Sequence, residues 1–336
     1  MTSPLLDRPG AVPADPPDDG VAGHYGDPYR EQRQLATNAA VDLSHRPVVR
    51  ITGPDRLSWL HSLTSQHLTA LEPGASTETL VLSPQGHVEH HLQLVDDGEQ
   101  VLAHLEPGTA GALLEFLDRM RFMLRVEVSD VSDQWAVVWW ATPSLAESVP
   151  GARLVQSTGF GAFTFLPRGS LPSVVVEPAG LLAFEALRVA ARRPRLGIDT
   201  DHRTLPHEVG WLGSAVHLDK GCYRGQETVA RVHNLGRPPR RLVLLHLDGS
   251  DSELPAVGSD VLLGERTVGR VGTSVRHHEL GPVALALVKR QVGDEAELVV
   301  GGIAAAIDPE PAFELPESPA RAAAEARAGL LRRPRG

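Results

Sequence analysis

The feature that most constrains the fold is the order of strand and helix patterns along the 336 residues. Over the first 200 residues, segments of strand periodicity are mixed irregularly with segments of helical periodicity. This order predicts an α+β fold of mixed layers rather than a doubly wound parallel sheet. The predicted helices are 28–40, a helix with Leu57, Leu60 and Leu63 on one face, Gly108–Arg121 and Leu181–Arg192; the predicted strands are Pro47–Ile51, Thr77–Leu82, Val88–Val95, Gln100–Leu105, Arg125–Val128 and Trp135–Trp140.

The pattern changes after Pro238-Pro239, which places a domain boundary at 237–240. Short β runs separated by glycine turns then fill about 70 residues, which predicts a small antiparallel barrel over 239–308. The runs are Arg241–Leu247, Asp260–Leu263, Thr267–Val275, Val283–Val288, Ala296–Val300 and Ile303–Ile307.

Both ends of the chain are poor in large apolar residues. Residues 1–24 carry prolines among acidic residues, and 309–336 pass from prolines into an alanine- and arginine-rich stretch. Neither end has enough apolar surface to offset the entropy of ordering, so we expect two disordered tails. The region 25–238 is expected to fold as two interleaved α+β subdomains.

Composition and charge narrow the class of partner. The net charge of −10 is unlike that of proteins that grip phosphate backbones, so we expect no general nucleic-acid binding. The single cysteine, Cys222, excludes a disulfide within the chain. The first 20 residues lack the apolar core of a signal peptide, and no apolar run reaches the roughly 20 residues of a membrane span. These features predict a cytoplasmic protein without membrane contact.

The most specific segment is Lys220-Gly221-Cys222-Tyr223-Arg224-Gly225-Gln226-Glu227. It resembles the K-G-C-Y-x-G-Q-E signature of the YgfZ proteins, which are folate-binding relatives of the glycine-cleavage T-protein, GcvT. Further similarity lies at Ile51–Asp55, Leu187–Asp199, Thr204–Glu208 and Gly281–Lys289. The resemblance therefore extends over roughly residues 25–308.

This resemblance implies a GcvT-like ring of three subdomains, two of them ferredoxin-like α/β layers and the third the barrel, around a channel that binds tetrahydrofolate. It also implies a role in the assembly or repair of iron–sulfur proteins, including enzymes that thiolate tRNA. The implied partners are folate and either iron–sulfur enzymes or cluster-assembly proteins. Cys222 and Lys220 are the candidate catalytic residues, and the candidate cofactor-binding residues are Gly221, Tyr223, Gly225, Gln226, Glu227, Arg188, Arg231, Arg237 and Trp211.

The chemistry of the segment supports a functional thiol. Gly221 and Gly225 allow the backbone to turn tightly, and Gln226-Glu227 suits the start of a helix. A position near Lys220, Arg224 and a helix N-terminus favours the thiolate form of Cys222. A thiolate can bind a soft metal, attack an electrophile or form a mixed disulfide. A lone cysteine is also commonly an inert small side chain, and that alternative stays open.

Other candidate ligand residues also have a structural alternative. Arg231 and Arg237 can meet the glutamate tail of folate through charge-assisted hydrogen bonds, or belong to a solvated loop. Trp211 and Tyr223 can stack on an aromatic ring of the ligand, or belong to the core.

Two positions depart from the T-protein pattern. His90-His91 stands where the T-protein has an acidic pair, and Ala190 stands where the family has a pterin-binding glutamate. Glu185 can replace that glutamate only from a different face of its helix. Strand alternation places His87, Glu89 and His91 on one face and His90 on the other. Because i and i+4 residues lie about 13 Å apart, His87 and His91 cannot share one metal ion, so we expect a polar channel wall and no metal.

Three functions remain open at this point. The first is a tetrahydrofolate-binding factor for iron–sulfur proteins that uses Cys222. The second is a folate-dependent aminomethyl or one-carbon transferase or demethylase, which the loss of the acidic pair disfavours. The third is a folate-independent interaction scaffold, which Ala190 favours.

Overall fold

A computed structural model describes residues 1–150, 152, 154–157, 159–250 and 253–314, with only the backbone described for 154–157. The strands are β1 (Val12–Pro13), β2 (Ala22–His24), β3 (Ala40–Asp42), β4 (Val48–Thr52), β5 (Ser76–Leu82), β6 (Val88–Asp96), β7 (Gln100–His104), β8 (Glu127–Asp130), β9 (Trp135–Trp140), β10 (Leu154–Ser157), β11 (Ala162–Pro167), β12 (Pro178–Ala179), β13 (Arg240–Leu247), β14 (Asp260–Leu263), β15 (Arg266–His277), β16 (Gly281–Lys289), β17 (Leu298–Val300) and β18 (Ile303–Ile307). The helices are α1 (Pro28–Leu35), α2 (Arg56–Leu63), α3 (Ala110–Arg119), α4 (Pro143–Glu147), α5 (Leu171–Val174), α6 (Leu181–Ala190), α7 (Trp211–Ser214) and α8 (Gln226–Leu235).

Two mixed α/β layers form the first two thirds of the chain. One sheet has the order β5-β6-β7-β4-β8, and α2 and α3 bury Trp59, Leu60, Leu113 and Leu117 against it. The other has the order β10-β11-β9-β3-β12, and α6 buries Phe184 against Trp139 on it. Because β3 precedes the whole first sheet and β9 follows it, the two layers are interleaved in sequence.

The last unit is a closed antiparallel barrel in the order β13-β16-β15-β14-β17-β18, completed by the pairing of β13 with β18. Its six strands correspond to the six β runs predicted from the sequence. The predicted α+β fold with a C-terminal barrel is therefore confirmed.

One apolar core joins the three units. It contains Leu80 from the first sheet, Val189 from α6, Trp211 from α7, Val229 from α8 and Leu285 from the barrel. Residues far apart in sequence thus meet where the units converge. Among the helices of the described residues, none has the length and apolar character that a bilayer span requires.

The expectation of a disordered N-terminal tail at 1–24 is wrong. Leu5 is 1% exposed, β1 pairs with β2, and the Asp18 carboxylate binds Arg195 at 2.8 Å. Composition missed this order because some of the stabilising contacts, such as that of Asp18 with Arg195, are made with residues more than 150 positions away.

The expected C-terminal tail at 309–336 is also partly ordered. Phe313 packs against the shared core and lies so close to Gly210 that a Cβ at that glycine would be 2.7 Å from its ring. The remainder of the expected tail, 315–336, lies outside the described residues. The first predicted helix, 28–40, ends earlier than expected, at Leu35.

Candidate functional site

The segment Lys220–Glu227 forms a surface loop that leads into α8. Cys222 is exposed on this loop. The loop closes on itself through Gln226, whose backbone N–H donates to the Tyr223 carbonyl at 3.3 Å and whose side chain donates to the Lys220 carbonyl at 3.4 Å. The fold therefore presents the thiol to solvent from a defined turn.

Lys220 anchors this loop to the end of α2. Its buried ammonium donates to the carbonyls of His61, Thr64 and Gln66. It also lies 4.9 Å from the centre of the Tyr223 ring. Burial lowers the pKa of Lys220 to about 8. Because its hydrogen bonds go to backbone carbonyls, the structure gives Lys220 a positioning role, and its predicted catalytic role stays a prediction.

Gly225 is the position where the loop requires glycine. Its φ is 83°, and a Cβ there would lie 2.5 Å from the Ser83 carbonyl oxygen. Gly86 faces it, so the start of α8 packs directly on the turn between β5 and β6. At Gly221, in contrast, an added Cβ would have no atom of the described part of the chain within 4 Å. Of the two glycines proposed to shape the loop, only Gly225 is sterically required.

A narrow interior pocket lies away from the loop, where the two sheets and α6 converge. Arginines and aromatic residues dominate its lining: Arg46, Arg188, Arg193, Arg195, Phe160, Phe163, Phe184 and Trp211. The free volume is about 50 Å³, little more than one water molecule occupies in the liquid. Two buried polar atoms of the lining, Gln93 Oε1 and Arg46 Nε, make no hydrogen bond to any residue that the structure describes. Such atoms are available to a ligand.

Buried ion pairs fix most of the arginines of the pocket. Arg195 lies 2.8 Å from Asp18, 2.7 Å from Glu106 and 3.2 Å from Glu185. Arg188 pairs with the other oxygen of Glu185, which leaves neither oxygen of that carboxylate free to replace the missing family glutamate. Ala190 is half-buried at the end of α6 and does not line the pocket.

Arg188 also connects the pocket to the barrel. Its guanidinium lies 2.8 Å from Asp199 and donates to the Thr273 hydroxyl at 2.6 Å. Asp199 in turn accepts a hydrogen bond from the Thr273 backbone N–H at 2.7 Å. Arg193 differs, because its side chain makes no ion pair with any described residue. It is therefore the arginine of the lining best able to bind a ligand carboxylate.

A carboxylate–imidazole pair lies opposite these arginines. His91 Nε2 is 2.9 Å from Glu78 Oε2, and the His91 ring lies 4.5 Å from that of Trp211. Burial raises the pKa of Glu78, but the hydrogen bond to His91 and the charges of His91 and Arg193 outweigh it, so the pKa is lower than usual. Glu78 is thus an ionised acceptor inside the pocket.

The strand that carries the histidine pair is irregular. Leu82 pairs with Val88 and Val81 with His90, so β6 has an extra residue at this point. His90 pairs with Val81 and His91 with Leu80, so the two histidines lie on opposite faces of β6 as predicted. Both are buried because each face of this sheet packs against a core. The bulge breaks the predicted alternation only before His90. Burial, and then the charge of Arg224, lowers the pKa of His90 to about 4. No group of three or more His, Cys, Asp or Glu side chains that could hold a metal ion occurs among the described residues.

The predicted site residues therefore separate into three places. Arg188 and Trp211 line the interior pocket, whereas the segment Lys220–Glu227 forms the surface loop. Arg231 and Arg237 are exposed and do not line the pocket. The turn of the hairpin β5–β6 contacts the loop. Glu78 lies on β5 about five residues before this turn, roughly 16 Å along the strand. The ligand-binding roles of the loop residues and of Arg231 and Arg237 stay predictions.

The fold matches a solved structure closely. The aminomethyltransferase T of the glycine cleavage system from Bartonella henselae superposes with a TM-score of 0.76, over 92% of this chain and 96% of that one, at 20% identity. The chain has the GcvT aminomethyltransferase fold. No protein-family model matches this GcvT-like chain.

Proteins similar in sequence to this GcvT-like chain are described as different kinds of protein. A putative chloroplastic transferase of Arabidopsis thaliana is 25% identical over 78% of this chain and 68% of its own length. An aminomethyltransferase of Nostoc is 27% identical over 81% of this chain and 83% of its own. A mitochondrial homologue of the iron–sulfur cluster assembly factor IBA57, from Mycosarcoma maydis, is 26% identical over 65% of this chain and 59% of its own.

The sequence analysis did not identify several residues of the pocket. Glu78 was detectable as the charged residue of the predicted strand Thr77–Leu82, which a turn joins to the strand of the histidine pair. Arg193 and Arg195 were detectable as a basic run directly after a predicted helix. Asp18 gave no local signal, because only the fold brings it to Arg195.

Proposed function

We propose that this GcvT-like protein binds a reduced folate in its interior pocket and uses the Cys222 thiol in the assembly or repair of iron–sulfur proteins of the cytoplasm, including those that thiolate tRNA. The observation that carries the proposal is the exposed thiol on a loop anchored by Lys220. Because the chain has one cysteine, a cluster or a mixed disulfide at Cys222 must be shared with another molecule. The similarity to an iron–sulfur cluster assembly homologue supports the same role.

The role of the thiol is tested by complementation. In cells that lack the gene, the Cys222→Ala chain should fail to restore the activity of iron–sulfur enzymes. Because Cys222 is exposed, the free energy of unfolding should stay within about 0.5 kcal/mol of wild type. Full restoration by a stably expressed variant would refute a functional thiol.

The lining of the pocket fits the chemical groups of a folate. Phe160 and Trp211 offer aromatic faces for a flat ring, and Glu78 and Gln93 Oε1 accept N–H donors. Arg193 can donate to the carbonyl oxygen of a pterin ring. The present free volume is too small for a pterin ring, so binding requires side chains such as Arg193 to move outward. A bound folate supplies one-carbon carrier chemistry; the chain's own residues bind and orient it.

Calorimetric titration with tetrahydrofolate under anaerobic, reducing conditions tests the pocket. Saturable one-to-one binding is expected, and Arg193→Met should weaken it about tenfold through the loss of one charge-assisted contact. The exposed Arg203→Met is the matched control and should leave the affinity unchanged. Absence of binding by a folded sample would refute the folate proposal and favour the folate-independent scaffold.

A folate-dependent transferase or demethylase is the second candidate. The buried Glu78–His91 pair favours it, because an ionised carboxylate beside an imidazole can accept and return a proton. Several relatives are aminomethyltransferases or transferases, although His90-His91 replaces the acidic pair. Incubation with tetrahydrofolate and methylated amines should then yield formaldehyde or methylene-folate, and Glu78→Gln should abolish it. No turnover by the wild-type chain would exclude this candidate.

A further inference from the structure

A buried histidine of β7 lies next to the interior pocket with both ring nitrogens unbonded. His104 is 1% exposed, and neither its Nδ1 nor its Nε2 makes a hydrogen bond to any described residue. Burying a polar group without a hydrogen bond costs folding free energy, and each such group in a native protein needs an explanation. His104 therefore has a cost that the packing of the fold does not explain.

Strand pairing turns His104 towards the pocket. His104 lies directly opposite Gln93 in the β6–β7 pair, so both side chains project from the same face of the sheet, with Cβ atoms about 5 Å apart. Gln93 lines the pocket, and so does Phe163, whose ring centre is 4.8 Å from that of His104. His104 therefore lies directly behind the lining.

Two unbonded atoms of the lining lie near His104. Gln93 Oε1 and Arg46 Nε make no hydrogen bond within the described part of the chain. Burial, and then the charges of Arg46 and His91, lower the pKa of His104 well below its usual value, so the imidazole is neutral and has one N–H donor and one acceptor nitrogen. We name His104, Gln93 and Arg46 the inner polar group; its unbonded atoms offer N–H donors from His104 and Arg46, and acceptors from His104 and Gln93.

The charges at the inner polar group favour an uncharged ring over a carboxylate. Arg46 already pairs with Glu106, at 3.3 Å, and His104 is neutral. Gln93 Oε1 and the bare imidazole nitrogen accept N–H groups but would repel the oxygens of a carboxylate. The pterin ring of a reduced folate is uncharged and carries both N–H donors and acceptor atoms, whereas its glutamate tail carries carboxylates. The ring therefore matches the inner polar group and the tail does not.

We propose that the inner polar group recognises the ring of the bound folate, with His104 as the residue that determines specificity for a ring bearing both N–H donors and acceptor atoms. The inference deepens the proposed function and rests on it for the identity of the ligand. Contact with His104 requires a shift of the Phe163 ring that lies against it, in keeping with the small present volume of the pocket. The carboxylate tail then points away from the inner polar group.

Calorimetry with a ligand fragment tests the recognition. 6-Methyltetrahydropterin, which is the ring without the tail, should bind the full chain. His104→Leu and Gln93→Met should each weaken its Kd by at least about tenfold, because each removes hydrogen bonds in a buried site. His207→Leu is the matched control and should leave the Kd unchanged, because it removes an equally buried imidazole that packs beneath α8, away from the β6–β7 pair.

A stability measurement separates recognition from a structural role. Without ligand, His104→Leu should keep or raise the midpoint of thermal unfolding, because an apolar side chain of similar size removes the cost of burying unbonded nitrogens. Weaker binding by a variant at least as stable as wild type would support recognition. A lower midpoint with an unchanged Kd would show that the imidazole is bonded inside the folded protein through buried water, and would overturn the inference.

Nitrogen NMR of the wild-type chain tests the same contact without a substitution. The ring nitrogen shifts of His104 should move on titration with 6-methyltetrahydropterin, because a new hydrogen bond changes the electron density at the bonded nitrogen. The shifts of the exposed His202 should stay constant. Unmoved His104 shifts at saturation would overturn the inference, whatever the stability of the variants.

The fragments also distinguish this inference from the proposed function. No binding of 6-methyltetrahydropterin to the wild-type chain would overturn the inference, and so would an unchanged Kd in both variants. A larger effect of the variants on p-aminobenzoylglutamate, which is the tail alone, would overturn it as well. If tetrahydrofolate binds wild type and His104→Leu equally, only the inference fails. If the ring fragment binds through His104 but Cys222→Ala restores iron–sulfur enzyme activity, only the proposed function fails.

Discussion

The surroundings of Lys220 require a lysine rather than an arginine. The chain has two lysines and uses arginine at its other basic positions. At Lys220 three carbonyls at the end of α2 converge on one point. A compact ammonium can donate to all three, whereas a planar guanidinium is larger and has a fixed donor geometry. The lysine therefore fastens the loop of Cys222 to the first sheet unit.

We predict that Lys220→Met destabilises the fold by about 2 kcal/mol, because it leaves buried carbonyls without donors. Lys220→Arg should not restore the loss, because the guanidinium does not fit the site. Urea unfolding measures both effects, with the exposed Lys289→Met as the control. Wild-type stability in Lys220→Met would contradict the anchoring role.

The two glycines of the loop differ in what they contribute to α8. Gly225 is the residue before the helix, at positive φ and in contact with the β5–β6 turn. We predict that Gly225→Ala costs about 3 kcal/mol, from the unfavourable φ together with the clash at Ser83. Gly221→Ala is the matched control, with a change below about 0.5 kcal/mol. Equal losses of stability for the two variants in urea unfolding would show that packing against the β5–β6 turn does not determine where α8 begins.

Local sequence patterns predicted most of the helices and strands. They failed where contacts between residues distant in sequence determine the structure. The start of α8 and the barrel strands follow from glycine positions and strand periodicity, which are local properties. The bulge beside Glu89 is not local, because it depends on how β6 pairs with β5. The pocket likewise has no sequence pattern: Arg46, Glu78, Arg193 and Trp211 meet only because two sheets and a helix pack together.

Buried neutral histidines link the stability of the whole molecule to pH. Burial lowers the pKa values of His90 and His207 to about 4, compared with about 6.5 in an unfolded chain. Between these values the unfolded chain binds more protons, so stability decreases as pH falls. Each histidine should contribute a loss of about 2 kcal/mol between pH 7.5 and 5.0.

Urea unfolding at the two pH values, about 7.5 and about 5.0, tests this dependence of stability on pH. His207→Gln should reduce the loss by about 2 kcal/mol, because it removes one group that gains a proton on unfolding. The exposed His202→Gln is the control and should leave the loss unchanged. A pH dependence that is the same in both variants would show that His207 is not a source of the linkage.

Buried ion pairs join the N-terminal segment to the rest of the molecule. Asp18 contributes to them by pairing with Arg195, which also binds Glu106 and Glu185. Asp18 accepts two buried hydrogen bonds from Arg195 and lies 2.8 Å from His45 Nε2, so the loss of its charge in Asp18→Asn should cost about 3 kcal/mol. The neighbouring Asp19 is exposed, and Asp19→Asn should change the free energy of unfolding by less than about 0.5 kcal/mol. Equal stability of the two variants in urea would mean that the pairing of Asp18 with Arg195 does not stabilise the fold. A larger loss in Asp18→Asn would show that the N-terminal segment stabilises the folded unit that forms the pocket.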